Sequence, residues 1–181
     1  MEKGLEFRII EENLRDKSKE FLRVNPLGSV PALVDEGTIV NDSTIINEYL
    51  EERYPQTPLF PRDPARKARC RMLEDYADSE LAPSLRKIYH EKGRKEDPAQ
   101  WDREQIAKGE EELIGHWAKL ERDLGEQDYL CGNFSVADIA VVAHLTNTLK
   151  LGYEIPPQFP KLRAWLTRTM NRPTVQKALF M

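Results

Sequence analysis

Asn25-Pro26-Leu27-Gly28-Ser29-Val30-Pro31-Ala32-Leu33-Val34-Asp35 is the stretch on which the reading of this chain turns. Asn-Pro followed by a nearby glycine marks a turn. Val30-Pro31 then puts a proline at the mouth of a short apolar run. Proline cannot donate to a β ladder, so Pro31 suits the first residue of a strand and not its middle. A proline there can also be cis, which frees the preceding residue's backbone for a ligand. Only about 5–6% of X-Pro bonds in folded proteins are cis, so the spacing by itself reads as a turn followed by a strand.

Outward from that stretch, 181 residues make one large domain or two small ones, enough to bury a real core. Charged residues are 32%, hydrophobic ones 40%, and the net charge is −4, which argues against nucleic-acid binding through a broad basic surface. The basic run from Arg62 to Arg71 is interleaved with Asp63 and followed by Glu74, as on a solvated helix face. Cys70 and Cys131 form neither a disulfide framework nor a metal pattern. His90, His116 and His144 show no metal spacing, so no metal site is expected. The absence of a membrane-length apolar run and of an apolar signal core points to a reduced, cytoplasmic protein with no membrane partner. The acceptor patterns at Asn41-Asp42-Ser43 and Asn133-Phe134-Ser135 are then accidental.

Read in order, Met1-Glu2-Lys3-Gly4 resembles the last turn and terminal glycine of a helix whose body lies upstream, or a frayed tail. Leu5–Ile10 reads as a strand and Lys17–Val24 as a short helix. Ala32–Asp35 and Thr38–Asn41 read as strands joined at Glu36-Gly37, a hairpin signal. Asp42-Ser43-Thr44 offers N-cap chemistry to a helix running to about Arg53. Prolines 55, 58, 61 and 64 mark a stiff linker over residues 56–64, dividing a domain at 1–55 from one at 65–181. Beyond it only helical periodicity appears. Ala65 to about Glu91 carries Met72, Leu73, Tyr76, Ala77 and Leu81 on its apolar side, with Pro83 as a possible kink. Asp97 to about Leu124 carries Ile106, Leu113, Ile114, Trp117 and Leu120. Ser135–Leu149 is apolar all round and should form the buried centre. Two further helices start at Pro160 and Pro173. Ser135 with Asp138 approximates a capping box, and Phe134 with Ile139 a hydrophobic staple, devices of stability and not of chemistry. His144 reads as a hydrogen-bonded core residue, and Cys70 and Cys131 as small buried ones.

Asn25–Leu33, Asp42-Ser43, Tyr49–Pro55, Phe134–Asp138, Phe159–Trp165 and Arg172-Pro173, in this order, closely resemble the cytosolic glutathione transferase superfamily. The resemblance covers essentially the whole chain. It implies α/β plus all-α architecture: a truncated thioredoxin-like N-terminal domain that holds glutathione as co-substrate, followed by an all-helical C-terminal domain. It also implies a cis Pro31 fixing the bend, with the Val30 backbone paired to the cysteinyl part of glutathione. Asp42 would accept from the γ-glutamyl ammonium, while Ser43 and the helix N-terminal amides receive its carboxylate. Lys17, by itself a surface lysine, corresponds to a lysine facing the glycyl carboxylate.

The family's opening strand and helix, and the Ser, Tyr or Cys that stabilises or replaces the glutathione thiolate, have no counterpart in these residues, so the catalytic residue is unknown. Either the natural chain starts upstream of Met1, or the sheet closes in another way. The resemblance implies a glutathione transferase conjugating or reducing a small hydrophobic electrophile, and a homodimer packed through the first helix after the linker. Tyr76, Met72 and Tyr89 are candidates for a substrate pocket, a core stripe or that interface. The alternative is a non-enzymatic interaction or regulatory protein on the same scaffold, similar to stringent starvation protein A.

Overall fold

The structure of the chain, a computed structural model, describes residues 1–179. The last two residues of the expected helical domain, Phe180 and Met181, lie outside the described residues. Backbone contacts separate two compact units, Met1–Leu59 and the chain from Phe60 onward.

In the first unit, helix α1 (Lys19–Val24) is short and capped by Ser18, whose Oγ accepts from the Phe21 N–H at 3.1 Å. The Glu12 carboxylate in turn accepts from the Ser18 N–H and hydroxyl, at 2.5 and 2.8 Å. Strands β1 (Ala32–Asp35) and β2 (Thr38–Asn41) form a two-stranded antiparallel sheet with Ala32 opposite Asn41 and Asp35 opposite Thr38. Glu36 and Gly37 both have positive φ, 47° and 87°, as a two-residue type I′ turn requires. Helix α2 (Ser43–Arg53) follows. Polar bonds tie it to the hairpin. Tyr49 and Tyr54 both donate to the Asp35 carboxylate, at 2.9 and 2.8 Å, and Arg53 pairs with Glu36 at 2.9 Å. Lys3 donates to the carbonyls of Tyr54 (3.0 Å) and Thr57 (2.9 Å) and pairs with Glu51 at 2.7 Å. A cation at the C-terminal end of α2 meets carbonyls that have no intrahelical partner.

The strand expected at Leu5–Ile10 does not form. Leu5–Asn13 carries no regular structure, and Phe7, Ile9 and Ile10 are more than half exposed. An alternating pattern becomes a strand only where a neighbour accepts its ladder bonds, and among the described residues the sheet consists of β1 and β2.

The second unit is helical. Helix α3 (Pro64–Tyr76) is capped by Asp63, which accepts from Arg66 N at 2.9 Å. It continues through a wide turn at Ala77–Leu81 into α4 (Ala82–Ile88) and a second wide turn at Tyr89–Gly93. At the first turn the Ala82 N–H reaches back to Ala77 O, five residues away. The single kinked helix expected over Ala65–Glu91 is thus interrupted beside Pro83, which has no N–H to continue the ladder. Helix α5 (Arg103–Leu124) starts later than the expected Asp97. Asp97 instead caps a short turn at Pro98–Gln100, and Asp102 caps α5 by accepting from Glu104 N and Gln105 N at 3.1 and 3.0 Å.

Helices α6 (Val136–Lys150), α7 (Pro160–Met170) and α8 (Pro173–Leu179) complete the unit. α3 packs mainly on α6, and α4 on α5. The core includes Leu81, Ile88, Leu113, Leu120, Val141, Leu162 and Trp165. Met72 and Ile114, read as apolar-side residues, are exposed instead; their neighbours Leu73 and Leu113 hold the core positions one helical step of ~100° away.

Asp138 organises the start of α6. One carboxylate oxygen accepts from the Ser135 N–H and hydroxyl, both at 2.9 Å, completing the capping box. The other accepts from Leu130 N at 3.0 Å and Trp165 Nε1 at 2.7 Å. Burial pushes this carboxyl up, against the hydrogen bonds that favour its ionised form. Cys70 and Cys131 are free thiols buried in this unit.

Candidate functional site

The Val30–Pro31 peptide is cis, and it opens directly into β1. Because the ladder ends at the Ala32–Asn41 pair, Pro31 and Asp42 flank the same end of the hairpin. Val30, Pro31, Asp42 and Ser43 are all exposed there. Ser43 is the first residue of α2, so the N–H groups of the first helical turn and the positive end of the helix dipole point toward this place.

Asp42 is the N-cap. Its Oδ1 accepts from the N–H groups of Thr44 (2.9 Å) and Ile45 (3.4 Å), and its carbonyl accepts from Ile46 N at 2.9 Å. It does so with φ 76° and ψ 131°, a backbone region that non-glycine residues rarely adopt. Such a conformation costs on the order of 1–3 kcal/mol and persists where the surroundings hold it.

Lys17 stands apart from this cluster, over the turn that leads into it. Its half-buried side chain lies across Gly28, where a Cβ would meet Lys17 Cδ and Nζ at 2.9 Å. Among the described residues Lys17 makes no hydrogen bond or ion pair.

The residue that sequence reasoning missed is Asn25. It is fully buried. Its Nδ2 donates to Ser29 O at 2.6 Å and to Ser29 Oγ at 3.1 Å, while Oδ1 accepts from Leu27 N at 3.2 Å and its carbonyl from Gly28 N at 2.9 Å. The i to i+2 bond is the Asx turn that an Asn before Pro invites. That signal was present in the sequence; the longer reach to Ser29 was not.

The helical unit holds a shallow cleft of about 420 Å³ lined by Ser84, Lys87, Glu112 and His116, among others. Tyr76 Oη bonds His116 Nδ1, and His116 Nε2 lies 3.0 Å from Ser84 Oγ. Ser84 donates to Glu80 O at 3.2 Å. Its one proton is thereby committed to a backbone carbonyl, so His116 Nε2 is the donor to Ser84 and Nδ1 the acceptor from Tyr76. That direction is the reverse of a histidine drawing a proton from a serine nucleophile. Burial lowers the His116 pKa and raises that of Tyr76, in keeping with a neutral chain. Lys87 pairs with Glu112 at 2.5 Å, and hydrogen bonding to it holds the Glu112 carboxyl low. This chain braces α4 against α5. His144, expected in the core, is partly exposed and meets Asp78 at 2.8 Å. Among the described residues no three His, Cys, Asp or Glu side chains converge to hold a metal ion, and no helix is long and apolar enough to cross a membrane.

Residues 1–53 match the family model of the glutathione S-transferase N-terminal domain, and residues 103–168 that of the C-terminal domain. Glutathione S-transferase U19 of Arabidopsis thaliana is 32% identical over 185 residues, an alignment covering 98% of this chain and 80% of that protein. A glutathione S-transferase structure from Rhodospirillum rubrum F11 matches with a TM-score of 0.88 at 27% identity, covering 99% of this chain and 83% of that one. The theta class enzyme of the citrus canker pathogen Xanthomonas axonopodis pv. citri, solved with glutathione bound, matches with a TM-score of 0.80 at 27% identity over 91% of this chain and 78% of that one. The two units are the thioredoxin-like and helical domains of one protein class. The chain belongs to the glutathione S-transferase family.

Proposed function

We propose that the chain binds glutathione at the exposed end of its hairpin and conjugates it to, or reduces with it, a small hydrophobic electrophile. In this reading the Val30 backbone, turned outward by Pro31, pairs with the cysteinyl part of the tripeptide. Asp42 accepts from the γ-glutamyl ammonium, and the Ser43 hydroxyl and amide, at the positive end of α2, receive the γ-glutamyl carboxylate. Lys17 meets the glycyl carboxylate. In conjugation the glutathione thiolate, its proton released to solvent, forms a C–S bond as the bond to the leaving group breaks and that group departs with the electron pair. In reduction a second glutathione thiolate attacks the sulfur of the first adduct, releasing glutathione disulfide and the reduced substrate, which takes a proton from solvent. No residue is assigned to stabilising that thiolate.

The observation that carries the reading is the shared hairpin end: the exposed Val30–Pro31 segment and a strained Asp42 cap flank the same terminal ladder pair. A strained cap at an exposed helix N-terminus accords with an anion and ammonium site. Glutathione bound in the Xanthomonas relative lends weight at the family level. The reading carries with it a cytoplasmic location and a homodimer packed through α3, where Met72 presents an exposed apolar side chain.

Immobilised glutathione is expected to retain the protein, and Asp42→Ala to weaken that retention. Turnover of a generic electrophile then tests the transferase step. Retention without turnover favours the interaction or regulatory reading; absence of both overturns the proposal. Light scattering on the same sample tests the dimer.

A further inference from the structure

The turn Asn25–Gly28 contains both residues that are buried in the Met1–Leu59 unit, Asn25 and Gly28. Burial in so small and open a unit falls on a turn, not on an apolar cluster. One side chain, Asn25, bonds to three points of that turn and of the residue before Val30. Gly28, at φ 66°, offers its missing side chain as the space in which Lys17 lies. A Cβ there would sit 2.9 Å from the lysine ammonium nitrogen, and the flexible end of Lys17 would have to leave. Lys17 is half-buried with no partner among the described residues, an arrangement suited to an incoming anion.

We propose that this turn is a positioning and specificity element: Asn25 holds the backbone before Val30, and Gly28 seats Lys17 so that its ammonium selects the glycyl carboxylate. The inference rests on the glutathione reading above and adds two residues to it. Gly28 acts through Lys17, and Asn25 acts through Ser29; neither touches the ligand. The cysteinyl and glycyl contacts of the tripeptide site are thereby both set by one buried turn. Displacing Lys17 costs recognition of the glycyl charge alone, whereas loosening Asn25 disturbs the cysteinyl contact as well.

The experiment compares two ligands with the same tripeptide backbone, glutathione and its monoethyl ester, which lacks the glycyl charge, by titration calorimetry on the full chain. The wild-type protein is expected to bind glutathione about fivefold more tightly than the ester, the size of a solvent-screened ion pair. Gly28→Ala and Lys17→Met should each bring that ratio to about one, and the double variant should add nothing further. Asn25→Ala, with its helical circular dichroism retained, should weaken both ligands. A Gly28→Ala protein that keeps the wild-type ratio overturns the proposal, as does one that weakens both ligands equally. Equal binding of the two ligands by the wild-type protein overturns the proposal, and with it the glycyl contact of Lys17, while leaving the cysteinyl and γ-glutamyl contacts of the glutathione reading standing. Binding of neither overturns both.

Discussion

In Met1–Leu59 the buried residues are a turn asparagine and a glycine, whereas in the helical unit they are leucines, isoleucines, valines and the indole of Trp165. The first unit is tied by long polar side chains: Tyr49 and Tyr54 on Asp35, Arg53 on Glu36, Lys3 on the end of α2. Val34 and Ile39, directly opposite each other in the hairpin, remain about half exposed. In the second unit apolar burial is continuous, and the polar groups inside it serve as anchors. Hydrogen bonds exchanged with water each add only about 1 kcal/mol of net stability, while apolar burial adds with area. The contrast therefore separates a pliant unit carrying the candidate site from a firm one carrying most of the stability.

The sharpest way to break that contrast is Asp138→Ala. It strands the Leu130 and Ser135 N–H groups, the Ser135 hydroxyl and the Trp165 indole N–H in a buried place. A loss of about 4 kcal/mol in urea unfolding is expected. Next comes Leu120→Ala, removing a fully buried side chain, at about 3 kcal/mol. Val34→Ala should cost less than about 1 kcal/mol, since its cross-strand partner is also exposed. Similar losses for Leu120 and Val34 would dissolve the distinction between the units.

Asp42→Gly sharpens it further. Glycine tolerates positive φ and costs only a few tenths of a kcal/mol as an N-cap. Thermal unfolding should be nearly unchanged while retention on glutathione falls, separating the binding role of this carboxylate from its capping role. The smallest effect concerns Glu91, whose carboxyl is held at about 2, below the usual 4.5, chiefly by the Lys95 ammonium and then by the Asp102 N–H. A depressed carboxyl favours the folded state once ionised. Its contribution is therefore complete above pH 4.5 and fades as pH falls toward 2. Glu91→Gln should flatten the dependence of stability on pH across that interval.

Much of the local architecture was legible because it rests on short-range chemistry. Glu36-Gly37 announced its turn, Asp42 its cap, and Ser135 with Asp138 the box that opens α6. What escaped depends on partners distant in sequence. Leu5–Ile10 has a strand's pattern and no neighbour to pair with. The indole of Trp165 reaches Asp138 from α7, which no spacing rule announces. Met72 and Leu73 are both apolar and adjacent; only packing decides which faces inward. At the candidate site the motif drew attention to Val30, Pro31, Asp42 and Ser43, yet Asn25 passed as a turn former because its amide bonds depend on the folded loop.

The wide turn at Ala77–Leu81 has a consequence for register. Each inserted residue advances the face of the following helix by about 100° relative to the one before. The helical rod can therefore show its first half to α6 and its second half to α5, as α3 and α4 do. Deleting one residue among Asp78, Ser79 and Glu80 would leave a more regular helix and a worse protein. Leu85 and Ile88 would be rotated off α5, and His116 would lose sight of Ser84.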